Sequence, residues 1–146
     1  MRILFLGDIV GPSGCNVVKR FLPDIIKKRD LDFVVANGEN AADSGLGITE
    51  KISKELFSCG IDVLTTGNHV WDQKETAEHI EKEKKLLRPY NLTGSSPGKG
   101  FEIFSSKNNF KIGVLNLMGN VFMKKCDDVF IKIEKFLNDY DLKNKL

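Results

Sequence analysis

Residues 32–69, DFVVANGENAADSGLGITEKISKELFSCGIDVLTTGNH, decide the fold because two short apolar runs flank an amphipathic segment. The runs DFVVANG and IDVLTTG are typical of buried strands, and each ends in glycine. The segment TEKISKELFSCG has helical spacing, with Thr49 as the predicted N-cap and Gly60 as the predicted stop. This strand–helix–strand order predicts a parallel sheet with a right-handed crossover.

The residues before this unit repeat its order. RILFLG is apolar enough to predict another buried strand. SGCNVVKRFLPDIIKKR carries apolar residues at helical spacing, with Ser13 as a candidate N-cap. Pro23 is expected to kink or break this helix, since proline lacks the backbone N–H. The first half therefore predicts three parallel strands joined by two helices.

The second half has a different pattern. DQKETAEHIEKEKKLL predicts a charged, exposed helix with His79 at the surface, and LTGSSPGKG predicts a loop. FEIFSS and KIGVLNL predict a hairpin around KNN, and DDVFIKIEKFLNDY predicts a last helix capped by Asp127 or Asp128. The predicted fold class is α/β: a parallel βαβαβ start, then a hairpin and a C-terminal helix, within a layered fold.

Composition favours one soluble cytoplasmic domain, residues 1–146. The chain is 41% hydrophobic and 29% charged, and no segment has the roughly 18 apolar residues of a membrane helix. With 22 basic and 20 acidic residues the net charge is +2, which gives no strong nucleic-acid signal. Three widely spaced cysteines favour reduced thiols over a disulfide framework or a metal site.

Polar side chains follow a glycine at the end of each of the three predicted strands. Asp8 follows the first strand, Glu39 and Asn40 the second, and Asn68 and His69 the third. Because the carboxyl ends of parallel strands lie at one edge of a sheet, these side chains are expected to meet there. Oxygen ligands suit hard divalent cations, and imidazole extends the choice to iron, manganese or zinc.

A two-metal site for phosphoryl transfer is the chemistry that this set favours. Glu39 is on the middle strand and is the best candidate to bridge two metal ions. Asp8 and Asn40 would then bind one ion and Asn68 the other. His69 is expected to donate a proton to the leaving oxygen, because an imidazole titrates near neutral pH.

Each residue also has a simpler structural explanation. Asp8 alone could cap a helix, and a Glu-Asn pair in a loop is more often solvated. Asp72 could orient His69 or cap the next helix, and the cap is the preferred interpretation. Lys99 could touch a phosphate, but GSSPGKG is not a P-loop, because a strand and not a helix follows it.

Five stretches, RILFLGDIVG, ANGENAADSGLGIT, DVLTTGNHVWD, SPGKGF and NLMGNVFM, together resemble the YmdB-like branch of the calcineurin-like metallophosphoesterases. The resemblance implies a four-layer fold, a dinuclear site that often holds iron or manganese, and hydrolysis of phosphodiesters such as 2′,3′-cyclic nucleotides. It also implies that Asp8 and Asn40 bind the first metal, Glu39 bridges both, Asn68 binds the second and His69 is the general acid.

The resemblance further implies a later half with three histidine ligands, which this chain does not contain. The expectation is therefore an N-terminal half, a C-terminally truncated domain whose site shifts toward magnesium or manganese. Two other functions stay open: a non-catalytic metal- or nucleotide-binding remnant, and a partner-binding remnant or homo-oligomer with an open sheet edge. An ordinary nucleotide-binding α/β domain is less favoured, since Asp8 puts a carboxylate where a phosphate would sit.

Overall fold

The computed structural model describes residues 1–123 and 125–141; the last part of the predicted domain, 142–146, lies outside the described residues. The strands are β1 (Ile3–Val10), β2 (Phe33–Asn40), β3 (Val63–Thr65), β4 (Leu86–Leu87), β5 (Phe101–Ser105) and β6 (Lys111–Leu115). The helices are α1 (Gly11–Arg29), α2 (Glu50–Ser58), α3 (Thr76–Lys82) and α4 (Val129–Asp139).

The central sheet is parallel, as the strand–helix–strand pattern predicts. Its strand order is β1-β2-β3-β4, and β5 and β6 form a separate antiparallel pair. The fourth strand was not predicted. β4 is only two residues long, Leu86 and Leu87, and a run this short has no periodicity of its own.

Alternate residues of the sheet contribute to two apolar layers. Leu22 of α1 and Leu56 of α2 pack in one cluster with Val34 and Leu64 of the sheet. The opposite face carries a second cluster, which the hairpin covers; it comprises Phe33, Val35, Val63 and Leu87 with Phe104, Ile112 and Val114 packed on them. The molecule is therefore layered as helices, parallel sheet and hairpin.

The prediction that the first strand is buried is wrong. β1 lies at the edge of the sheet, and Ile3 and Phe5 are exposed. Its pairing with β2 is regular from Ile3 to Leu6 and irregular around Asp8. An apolar run indicates a strand, but its place in the sheet depends on which strands pair with it.

The first helix differs from its prediction at its N-cap, and it is not broken at Pro23. It begins at Gly11, with a proline in its first turn, so Ser13 is not its N-cap. Pro23 lies inside a helix that continues to Arg29, so it does not break the helix. Leu22 is buried beside Pro23, and this packing offsets the one helical hydrogen bond that a proline gives up.

The long exposed helix predicted after β3 is also wrong. Only Thr76–Lys82 is helical, and His79 is 6% exposed instead of lying at the surface. Ser53 of α2 donates its one hydroxyl hydrogen to the carbonyl of Glu50, at 2.8 Å. Nε2 of His79, which lies 2.7 Å from the same hydroxyl oxygen, is therefore the donor of the second hydrogen bond.

The other predicted elements and caps are confirmed. Thr49 accepts a hydrogen bond from the amide of Ile52, and Asp128 accepts from the amides of Phe130 and Ile131. The hairpin pairs Phe101 to Ser105 with Leu115 to Lys111, as predicted. In the part of the chain that the structure describes, no helix is long and apolar enough to cross a membrane.

Candidate metal centre

The ends of β1 and β2 bring Asp8 and Asn40 into direct contact. Asn40 of β2 pairs with Val10 of β1, and Asp8 lies two residues before Val10 on the same strand. The side-chain amide of Asn40 donates to Oδ2 of Asp8 at 2.8 Å. Asp8 is exposed and Asn40 is half-buried, so a carboxylate and an amide meet at the rim of the sheet where solvent can reach them.

Glu39 points from β2 toward the loop that follows β3. Its Oε1 accepts a hydrogen bond from the backbone amide of His69 at 3.3 Å. Its Oε2 lies so close to Gly67 that a Cβ placed there would be 2.2 Å away. Gly67 therefore leaves room for this carboxylate, which a larger residue at that position would displace.

Asn37 supports this arrangement, although it was not among the residues predicted for the site. Its Oδ1 accepts a hydrogen bond from the backbone amide of Glu39 at 2.8 Å. An asparagine that bonds the amide two residues on forms an Asx-turn. The letters Asn-Gly-Glu were the available signal, since asparagine before glycine favours such a turn at a strand end.

The interpretation of Asp72 as the cap of the next helix is wrong. Helix α3 begins later, at Thr76, and Glu75 occupies its cap position without a side-chain cap bond. Oδ2 of Asp72 instead accepts a hydrogen bond from Nδ1 of His69 at 2.6 Å. The carboxylate therefore fixes one ring nitrogen of His69, which was the other interpretation of this residue.

Two further candidates are also placed. Asn68 is half-buried and lies between Gly67, which contacts Glu39, and His69. Lys99, the candidate phosphate contact, instead forms an ion pair with Glu102 on the hairpin. Two separate contacts thus connect the three neighbouring strand ends. One joins Asp8 to Asn40, and the other joins Glu39 to the backbone of His69.

The chemistry of these side chains fits part of a divalent-metal site. Two carboxylates and two amides provide the oxygen donors that hard cations prefer. Gly67 leaves room for the Glu39 carboxylate, and Asp8 is open to solvent. Across residues 1–123 and 125–141, however, no three His, Cys, Asp or Glu residues form a group that could hold a metal ion. These donors alone are too few to fill the coordination of two ions.

Comparisons with known proteins show the family of this chain. Residues 4–146 match the model of the family described as YmdB-like protein, and the chain belongs to that family. It is 42% identical over 137 residues to the 2′,3′-cyclic-nucleotide 2′-phosphodiesterase of Bacillus subtilis (strain 168). It is 37% identical over 123 residues to a putative phosphatase/phosphodiesterase of Mycoplasma genitalium.

Two solved structures share the fold of this chain. A hypothetical protein from Thermus thermophilus superposes with a TM-score of 0.87 at 35% identity, over 97% of this chain and 54% of that one. A novel phosphatase of Mycoplasma pneumoniae superposes with a TM-score of 0.85 at 31% identity, over 95% of this chain and 51% of that one.

This chain is about half as long as its relatives. The alignment with the Bacillus subtilis protein covers 94% of this chain but 51% of that protein, and the Mycoplasma genitalium alignment covers 82% and 43%. What those whole proteins do is therefore not established for this chain by the likeness alone.

Proposed function

We propose that this chain supplies the oxygen-ligated part of the active site of a metal-dependent phosphodiesterase. The expected substrates are small phosphodiesters, above all cyclic nucleotides, as the name of the Bacillus subtilis relative indicates. Asp8 and Asn40 would hold one divalent ion, Glu39 would bridge to a second, and Asn68 would bind that second ion.

One observation carries this proposal: the Glu39 carboxylate lies against Gly67. The half-buried carboxylate lies between β2 and the loop after β3, in space that a side chain at position 67 would otherwise fill. Asp8 and Asn40 contact each other one strand away. Charged and amide oxygens gathered at the carboxyl ends of parallel strands are well suited to bind a ligand or an ion.

The metal ions, His69 and Asp72 would each have a separate role in the reaction. Bound divalent ions, with iron or manganese expected and magnesium as a weaker alternative, would supply an activated water and a positive clamp on the phosphoryl oxygens. His69 would deliver the proton to the leaving oxygen. Asp72 holds Nδ1 of this ring at 2.6 Å, so Nε2 is the nitrogen left for the substrate.

The direct test combines metal binding with turnover. The purified chain is titrated with Mn²⁺ by calorimetry and then supplied with an aryl phosphodiester. We expect Mn²⁺ binding and slow hydrolysis, both abolished by Glu39→Gln. Glu78→Gln is the matched control, because Glu78 is an exposed carboxylate that pairs only with Lys82 in the contacts described. Folded protein that neither binds Mn²⁺ nor hydrolyses the ester would refute the proposal.

A second function is favoured by the open edge of β1. In this second function the chain would bind a metal ion, a nucleotide or a partner without catalysing hydrolysis. Mn²⁺ binding that depends on Glu39, with no turnover at any metal concentration, would support this alternative. It would also separate the binding part of the proposal from its catalytic part.

A further inference from the structure

A cleft lies beyond the end of β4, between the segment that follows this strand and helix α4. Its volume is about 530 Å³, and its lining is drawn from residues 88–101 and 132–140. Pockets of this size commonly hold small organic ligands. None of the five candidate residues of the metal centre, all of which the structure describes, belongs to this lining. The cleft, which we call the β4 cleft, is therefore separate from the surface to which the metal function is assigned.

Arg88 brings a guanidinium to the β4 cleft with hydrogen-bond donors to spare. It directly follows β4 and is half-buried. Its Nε, Nη1 and Nη2 donate to the backbone carbonyls of Pro97, Pro89 and Ser96 at 2.9–3.4 Å. A guanidinium has five N–H groups, so two remain after these three bonds. The three carbonyls hold the group in place, and none of them carries a negative charge.

Two lysines add positive charge to the same cleft. Nζ of Lys132, on α4, lies 2.7 Å from Oδ2 of Asp127, and Lys99 pairs with Glu102. An ammonium has three N–H donors, and the described bonds use one on each lysine. Asp139 is the carboxylate among the described lining residues, so the lining holds three cations to one anion.

This excess of positive charge favours a phosphate as part of the ligand. Burial lowers the pKa of the Arg88 guanidinium, because a charged group loses hydration inside the protein. An anion at this position offsets the loss, and the planar fork of an arginine matches the oxygens of phosphate or carboxylate. Three cations suit a phosphate better, since a phosphate ester carries nearly two negative charges at neutral pH.

Aromatic rings form the other part of the lining. Phe136 of α4 and Tyr140, which follows this helix, are stacked with their ring centres 5.1 Å apart. The ring of Phe101 meets both of them edge to face, at 4.7 Å in each case. Phe101 and Tyr140 are half-buried, so part of the cluster is open to the cleft that it lines. Aromatic side chains bind flat rings by stacking, and every nucleobase has such a face.

Glycines in the stretch SPGKG shape the wall of the β4 cleft. Gly98 has a φ of +72°, and a Cβ there would lie 2.8 Å from Ile80. A Cβ at Gly100 would overlap the backbone of Tyr90. Both glycines line the cleft, so at these positions its wall is bare backbone. A wall without side chains lets a ligand approach the backbone closely.

We propose that the β4 cleft binds a nucleoside monophosphate, with the phosphate at the three cations and the base against the rings of Phe101 and Tyr140. Arg88, Lys99 and Lys132 neutralise the phosphate, so binding needs no metal ion. This site goes beyond the proposed phosphodiesterase activity and does not depend on it.

Calorimetry in EDTA tests this binding in the absence of metal. The folded chain is titrated separately with AMP, inorganic phosphate and adenosine. We expect one AMP per chain, bound at least about tenfold more tightly than phosphate or adenosine, because each of these lacks one part of the contacts. The absence of saturable AMP binding would overturn the proposal, as would binding of phosphate or adenosine as tight as that of AMP.

Substitutions of the cations locate the phosphate. Arg88→Lys and Lys132→Gln should each weaken AMP binding about tenfold, because each removes a charge-assisted hydrogen bond. Lys107→Gln is the matched control, since Lys107 is an exposed lysine that pairs with Asp30 and lies outside the lining. Circular dichroism checks that each variant is folded. Lys132→Gln decides the test if Arg88→Lys does not fold, and AMP affinity equal to that of Lys107→Gln would refute the site.

Tyr140→Leu tests the place of the base. This substitution keeps an apolar side chain but removes the ring, so it should weaken binding of AMP and leave binding of inorganic phosphate unchanged. An equal affinity for AMP in Tyr140→Leu and in the wild-type chain would remove the base from the rings that line the cleft.

Glu39→Gln separates this inference from the proposed function. In EDTA the variant should bind AMP as the wild-type chain does, although it should no longer bind Mn²⁺. AMP binding by a chain that binds no Mn²⁺ would refute the metal function and leave this site standing. AMP binding that is lost in Glu39→Gln and kept in Lys132→Gln would place the nucleotide at the metal centre and overturn the inference.

Discussion

Gly67 and Glu39 illustrate how a single residue can set the geometry of this site. The carboxylate of Glu39 occupies space that any side chain at position 67 would fill. Gly67 is not among the glycines with a positive φ, so its backbone conformation is open to other residues. A side chain at position 67 would displace the side chain of Glu39 more than it would disturb the fold.

Gly67→Ala is therefore expected to weaken metal binding with little effect on stability. The new methyl group would push the flexible end of Glu39 aside, and misplacing a ligand typically costs about 10–100-fold in metal affinity. Calorimetric titration with Mn²⁺ measures this, and thermal unfolding measures stability.

The control for this substitution is Gly7→Ala. A Cβ at Gly7 would meet no other atom within 4 Å, and its φ is also not positive. Equal losses of Mn²⁺ affinity in the two variants would contradict the role given to Gly67.

Among the elements, α3 depends on α2 for its position. It is seven residues long, which is too short to be stable in isolation. Thr76 donates to the carbonyl of Ile48 at 2.8 Å, and His79 donates to Ser53 at 2.7 Å. Both bonds are buried, and they tie the helix to the end of the loop before α2 and to α2 itself.

Ser53→Ala is expected to lower the free energy of unfolding by about 1–3 kcal/mol, because it leaves the buried Nε2 of His79 without its partner. Ser58→Ala is the control on the same helix, since Ser58 is exposed and its hydroxyl donates to the carbonyl of Glu55 in the turn before it. Urea unfolding of both variants provides the comparison. If Ser53→Ala costs no more than Ser58→Ala, the bond to His79 does not hold α3 in place.

Metal binding should stabilise the whole molecule against unfolding. An ion that binds the folded chain and not the unfolded chain adds about 2.7 kcal/mol to the free energy of unfolding at one hundred times its dissociation constant. Mn²⁺ should therefore raise the midpoint of thermal unfolding, and EDTA should return it to the starting value.

Glu39→Gln should remove this response, whereas the exposed Glu78→Gln variant should keep it. A midpoint that Mn²⁺ raises equally in the wild-type chain and in Glu39→Gln would place the stabilising ion elsewhere on the molecule.

At this scale the sequence by itself determined the parallel βαβαβ order, the hairpin, the cap at Thr49 and a cap at Asp127 or Asp128, of which the structure shows Asp128. These follow from local chemistry: the period of apolar residues, the turn residues and a hydroxyl or carboxylate before a helix. The candidate donors at the strand ends could be named for the same reason, since parallel strands place their carboxyl ends along one edge.

Only the tertiary structure decided where the elements lie and what surrounds them. The apolar run of β1 predicts a strand equally well at the centre or the edge of a sheet, and the charges around His79 conceal that its ring is buried against Ser53. The space that Gly67 leaves for Glu39 joins residues from two strands. Each of these features depends on contacts between residues that are distant in sequence. A sequence pattern, in contrast, reflects only residues that are close together along the chain.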